Sequence, residues 1–237
     1  MKITVVGAGR AGTSFFLALA EAGHDVALVH HEDRMDLTGQ ELVILCVPDD
    51  ALVETSRALA RGEYVVAHVA GSRRLDVLTP HARVASLHPL VALPSGHLGA
   101  RRLRGATFCV AGDALVRDVV DSLGGQALTI SDEDRSLYHA TATVAANHVV
   151  ALLGQVGELA ERLGLSMADF LPLARQALED VERVGPVDAL TGPASRGDIS
   201  TIDAHLNALP ESERAAYVAM AHVAFELAER RRSQLPA

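Results

Sequence analysis

His139, Thr143 and Asn147 stand four residues apart in an otherwise apolar or small run, HATATVAANHVVAL. At helical spacing the three polar side chains share one stripe. An imidazole, a hydroxyl and a carboxamide in line can deliver a proton and donate a hydrogen bond to developing negative charge. A polar stripe on a helix otherwise suited to burial needs partners, because an unpaired buried polar group costs about 1–3 kcal/mol. Those partners are either a neighbouring loop, so that the stripe fixes packing, or a reacting ligand. His88, in SLHPL (Ser86–Leu90), is a second candidate imidazole, and its alternative role is to end a strand with Pro89. In LTGPASRGD (Leu190–Asp198), Gly and Pro break a helix while Arg196 and Asp198 bring charge. Asp198 is equally placed to cap the helix that DISTIDAHL opens.

A different pattern stands at the start of the chain. The β-branched run Lys2–Val6 ends at GAGRAG, Gly7 to Gly12, and TSFFLALAEAG then reads as a helix. G-x-G-x-x-G between a strand and a helix is the pattern of a dinucleotide site. Gly7 permits the tight turn, Gly9 lets the backbone approach a pyrophosphate, and Gly12 lets the helix pack on the strand. Ala8, Arg10 and Ala11 complete the turn, and the first N–H groups of the helix face the phosphates. An NAD site usually holds the ribose hydroxyls with an acid at the end of the second strand. Here His30 and His31 stand there, with Arg34 close behind. Those groups accept a 2′-phosphate, so NADP(H) is expected over NAD(H).

Further strands are expected at 41–48, 63–70, 83–89, 106–112 and 126–130, with short helical or loop segments between them. The alternation implies a doubly wound parallel sheet, a Rossmann-like domain over residues 1–131. Ligands of such sheets lie beyond the carboxyl ends of the strands. Val47, Pro48, Asp49, Gly71 and His88 should therefore line the cleft. Residues 31–40 leave little room for a crossover helix. From residue 132 to 237 no strand pattern remains, and an all-helical domain is expected. One helix should run from Ser131 to Gly164, with others over 165–184, 198–208 and 212–232.

Composition narrows the functional classes. The 237 residues carry a net charge of −9, against the basic surface that a general nucleic-acid binder needs. Trp is absent and aromatics are 3%, so base-stacking platforms are not expected. The two cysteines, Cys46 and Cys109, sit in apolar strand-like runs and read as buried free thiols of a cytoplasmic protein. No signal peptide or membrane-length apolar run is read, which removes the setting for Arg-Gly-Asp as an adhesion signal. The histidines show no metal-binding spacing, and no metal site is expected.

Four motifs together, GAGRAG, SLHPL, YHATATVAANHVVAL (Tyr138–Leu152) and ALTGPASRGDISTIDAHL (Ala189–Leu206), resemble the ketopantoate reductase-like family. That family joins a Rossmann-like domain to a helical domain of formerly unknown function, and its wider kin include pyrroline-carboxylate reductase and the helical domain of the 6-phosphogluconate dehydrogenase type. The resemblance implies a small-molecule reductase, with ketopantoate and pantothenate synthesis as the leading assignment. It implies a loop at 190–198 over the cleft and a homodimer through the helical domain. The well-understood relatives carry Lys four residues before the Asn, where this chain has Thr143. On this reading His139 or His88 supplies the proton, Asn147 bonds the oxyanion, and Arg196 pairs with a substrate carboxylate that Asp198 orients. Two alternatives stay open: a nucleotide-binding redox or metabolite sensor without turnover, and an imine reductase of the pyrroline-carboxylate type.

Overall fold

A computed structural model describes residues 1–30, 33 and 35–234. Packing divides it into two compact units, Met1–Ala146 and Asn147–Ala237.

The first unit is built on a seven-stranded sheet in the order β2-β1-β3-β4-β5-β6-β7. Its strands are β1 (Lys2–Val6), β2 (Asp25–Val29), β3 (Leu42–Leu45), β4 (Val65–His68), β5 (Val84–Pro89), β6 (Thr107–Gly112) and β7 (Gln126–Thr129). Every expected strand is present because each is a short apolar, mostly β-branched run bounded by turn residues. Neighbours pair in parallel except β5 and β6, which are antiparallel, with His88 opposite Cys109.

Alternation sends Ile3, Val5, Leu42, Ile44, Val65 and Ala67 to one face, where they form one core with Phe15 and Leu19. Val6, Val43, Leu45 and Val66 go to the other, with Leu52 and Leu78. Burial on both faces explains why the central strands read as continuous apolar runs. The helices of this unit are α1 (Arg10–Glu21), α2 (Leu52–Ala58), α3 (Gly96–Leu103), α4 (Leu115–Ser122) and α5 (Arg135–Thr143). Between β2 and β3 the described residues form only turns, as the short spacing requires.

The helix expected to run unbroken from Ser131 differs in two ways. It begins at Arg135, because Ser131 turns back to bond Asp134 ahead of the first turn. It then passes through a π-helical turn, Val144–His148, before α6 (Val149–Arg162). A π turn widens the i→i+4 ladder and is found mostly at functional positions. It interrupts the even spacing of the polar stripe at Asn147.

The second unit continues with α7 (Met167–Ala189), α8 (Gly192–Arg196), α9 (Ile199–Ala208) and α10 (Glu211–Gln234). Ser166 and Asp169 form a capping box at the start of α7, and Gly185, at φ 79°, kinks the helix before Pro186. Residues 190–198 are not simply a loop. Pro193 lies in the first turn of α8, where its missing N–H costs nothing, and Gly197 ends that helix in the left-handed region at φ 71°. Arg231, on α10, donates to the carbonyls of Val187, Asp188 and Leu190 at 2.5–3.0 Å, closing the end of α7. Replacing it, Arg231→Met, strands those carbonyls and is expected to destabilise the protein by about 1–3 kcal/mol in urea unfolding.

Candidate active site

The glycine turn divides its labour as the motif requires. A Cβ on Gly7, at φ 103°, would lie 2.7 Å from the Cys46 carbonyl oxygen, and one on Gly12 would lie 1.7 Å from that of Gly7. Both positions need glycine for packing alone. A Cβ on Gly9 would meet nothing within 4 Å. Gly9 precedes α1 with no side-chain cap, so the leading N–H groups of the helix remain available to an anion. Ala8 uses its carbonyl to accept from the Thr13 hydroxyl at 3.3 Å.

A cleft of about 440 Å³ opens beside this turn. Gly9, Arg10, Ala11, Val47, Pro48 and His88 line it, together with Val69, Pro89 and their neighbours. Asp49 and Gly71, expected there, are not among the lining residues; Asp49 accepts from the Ser72 hydroxyl at 3.1 Å and pairs with Arg73 at 3.4 Å. His30 is exposed, and its backbone N–H donates to Asp33 at 3.0 Å. His31 and Arg34, expected to meet a 2′-phosphate, lie outside the described residues.

The first turns of α5 bring a second set of groups to the ends of β4 and β5. Arg135 is 1% exposed. Its guanidinium donates to Ser86 Oγ and, at 3.4 Å, to the carbonyls of Ala70 and Gly71. Asp132 lies 3.5 Å from its Nε. One helical turn on, the Tyr138 hydroxyl lies 2.5 Å from His88 Nδ1. His139 stands edge to face with His88, ring centres 6.1 Å apart. Gly71 fits between them: a Cβ there would come within 2.5 Å of His139 and 2.9 Å of His88 Nε2. Its role in the fold is thus to let the two imidazoles approach.

Electrostatics makes His88 a poor store of a proton. Burial pushes it down to about 4, with His139 and Arg135 beside it acting the same way. His68, at the end of β4, is fully buried with neither ring nitrogen hydrogen-bonded, and burial and Arg135 push it also to about 4. His88 is therefore neutral near pH 7. As a proton donor His88 would act from its neutral ring, because burial and the neighbouring Arg135 disfavour the imidazolium. Burial also pushes the Cys46, Cys109 and Tyr138 hydrogens to higher pKa, so these groups stay protonated. Both cysteines are free and buried. Among the described residues no three His, Cys, Asp or Glu side chains gather as a metal site.

Of the other expected site residues, Thr143 ends α5 half-buried. Asn147, Arg196 and Asp198 belong to the second unit, with Asn147 exposed in the π turn and Arg196 ending α8. Asp198 takes the capping role: its carboxylate accepts from the Thr201 N–H at 3.1 Å, the Thr201 hydroxyl at 2.7 Å and the Ser200 hydroxyl at 2.9 Å. Arg135, Tyr138 and His68 were not anticipated. A signal for Tyr138 was present, since it stands one residue before His139 at the head of the polar run.

Residues 107–224 match a domain of unknown function, DUF2520. No curated protein matches the chain by sequence. Among solved structures, a Bacteroides fragilis protein provisionally described as an NADP oxidoreductase superposes with a TM-score of 0.78 at 21% identity, over 95% of this chain and 98% of that one. A 1-pyrroline-5-carboxylate reductase of Streptococcus pyogenes gives 0.65 at 17%, over 95% and 98%. A reductive aminase of Aspergillus terreus, in complex with NADPH4, cyclohexanone and allyl amine, gives 0.66 at 17%, over 97% and 90%. The fold is thus that of a Rossmann-like domain followed by a helical one.

The buried imidazoles predict an acid-sensitive fold. Unfolded, His68 and His88 take up protons below their ordinary value of 6.5; folded, they remain neutral until about 4. The unfolded state binds more protons in that window, so stability falls as pH drops from about 6.5 towards 4. The loss should reach about 1–3 kcal/mol per ring. Urea unfolding at pH 7.5 and pH 5 measures it, and His68→Leu should shrink the difference.

Proposed function

We propose that this protein is an NADPH-dependent reductase of a small carbonyl compound, with ketopantoate the first substrate to test. The observation that carries the reading is the open space over Gly9 at the start of α1, set beside a cleft that His88 lines. The fold neighbour described as an NADP oxidoreductase supports the cofactor class. The residues present fit a dinucleotide. Gly9, Arg10 and Ala11 would hold the pyrophosphate, Val47 and Pro48 would flank the rest, and His30, at the end of β2, would meet the 2′-phosphate. The nicotinamide would supply a hydride.

The chain's own groups then have separate tasks. His139 delivers a proton to the reduced centre. His88, neutral, contributes a hydrogen bond and no charge. Arg135 holds both α5 and the Gly71 segment in place. A second reading, reduction of an imine, is favoured by the fold shared with a pyrroline-5-carboxylate reductase and a reductive aminase. Carbonyl and imine reduction both need a hydride and a proton.

The test is NADPH oxidation by the purified protein with ketopantoate or 1-pyrroline-5-carboxylate, with NADH as control. Turnover is expected with NADPH and should drop at least tenfold in His139→Ala. Gly9→Ala should keep the fold and weaken NADPH binding about tenfold or more, since only the ligand would meet the new methyl group. NADPH binding without turnover on either substrate class would favour a sensor instead.

We also propose a homodimer through the helical domain. Leu163, Leu173, Leu178, Val218 and Met220 are exposed in the second unit, while among its described residues the buried apolar ones are the small Ala160, Ala194 and Ala228. Sedimentation equilibrium at micromolar concentration should give twice the chain mass; a monomer would overturn the proposal.

A further inference from the structure

Tyr138 has no task in the mechanism above, yet its hydroxyl lies 2.5 Å from His88 Nδ1 with the two rings edge to face at 85°. A phenol can donate or accept, and a neutral imidazole donates at one nitrogen and accepts at the other. The direction of this one bond therefore decides which nitrogen of His88 carries the proton. The partners within reach of the hydroxyl set the direction. Among the described residues, His88 Nδ1 is the one hydrogen-bond partner of the Tyr138 hydroxyl. The Arg135 cation stabilises negative charge on that oxygen, which makes the phenol a stronger donor. Were Nδ1 protonated, the phenol would only accept and its own hydrogen would be left without a partner, which disfavours that arrangement.

We propose that Tyr138 is a positioning residue that donates its hydrogen to His88 Nδ1, holding His88 as the neutral Nε2–H tautomer and presenting that N–H as a hydrogen-bond donor at the wall of the cleft. The side chain missing at Gly71 is what leaves Nε2 uncovered, since a Cβ there would sit 2.9 Å from it. The groups around the ring are Arg135, Tyr138 and His139 on α5, Asp49 after β3, His68 on β4 and Cys109 on β6. Only Asp49 favours the imidazolium, and it is engaged with Ser72 and Arg73. A neutral N–H donor polarises a carbonyl or imine without being consumed as an acid. The catalytic use of this donor rests on the reductase reading; the tautomer does not.

Long-range 15N–1H NMR of histidine-labelled protein at pH 7.5 reads the tautomer directly, with the His88 signals identified by their loss in His88→Gln. The expected result is a protonated Nε2 and an unprotonated Nδ1 whose shift is displaced by an accepted hydrogen bond. In Tyr138→Phe that displacement should vanish. A protonated Nδ1 in the wild type overturns the proposal without recourse to any variant, as does an Nδ1 shift unchanged in a folded Tyr138→Phe protein. In turnover, Tyr138→Phe should lower kcat about tenfold, the loss of one hydrogen bond, with NADPH affinity within about twofold. Failure of both proteins to bind NADPH would defeat the reductase reading while the NMR result still decides the tautomer.

Discussion

One buried positive charge organises the ends of β4 and β5 in the first unit. Arg135 has 1% of its surface exposed, and a guanidinium cannot shed its proton to escape the cost of burial. Its charge must be met by the chain around it. Ser86 on β5, the carbonyls that follow β4 and Asp132 ahead of α5 meet it together. Asp132 also accepts from the Leu75 N–H at 3.0 Å, so the same carboxylate ties the segment after β4 to the start of α5. Three separate stretches of sequence are thereby drawn to one point. Tyr138 and His139 follow Arg135 by one turn and are delivered to His88 as a consequence.

The same charge sets the chemistry available. A cation held this close makes a protonated His68 or His88 costly, and burial acts in the same direction. His68 and His88 are therefore neutral near pH 7. Ordinarily a buried imidazole with no hydrogen-bond partner, as at His68, would be a defect. Being neutral near pH 7, its ring adds no second charge near Arg135.

The strands, the glycine turn and the helical second half were legible in the sequence because each rests on a local pattern. KITVV next to GAGRAG has few other ways to fold, and the structure gives Gly7 and Gly12 packing reasons that match the motif. Asp198 as a cap was legible for the same reason, since DISTIDAHL carries its own start signal. The antiparallel β6 was not, because a run such as TFCVAG is apolar in either direction. Nor was the burial of Arg135: in DEDRSLYH it looks like one more charge in a solvated first turn, and only pairing across the sheet ends removes it from water. The π turn at Val144–His148 is equally silent, since its residues suit an α-helix and nothing in their order asks for a wider turn.

These limits bear on how the polar run beginning at His139 should be understood. Even spacing by four assumes an unbroken α-helix, and the π turn breaks it between Thr143 and Asn147. His139 and Asn147 thus cannot be treated as rungs of one ladder. His139 is defined by a different contact, the edge-to-face approach to His88 that Gly71 permits. That pairing separates the tasks of the two rings. A protonated His139 would raise the cost of protonating His88 further, because like charges 6.1 Å apart in a buried setting repel. His88, with its Nδ1 against Tyr138, is the ring held neutral.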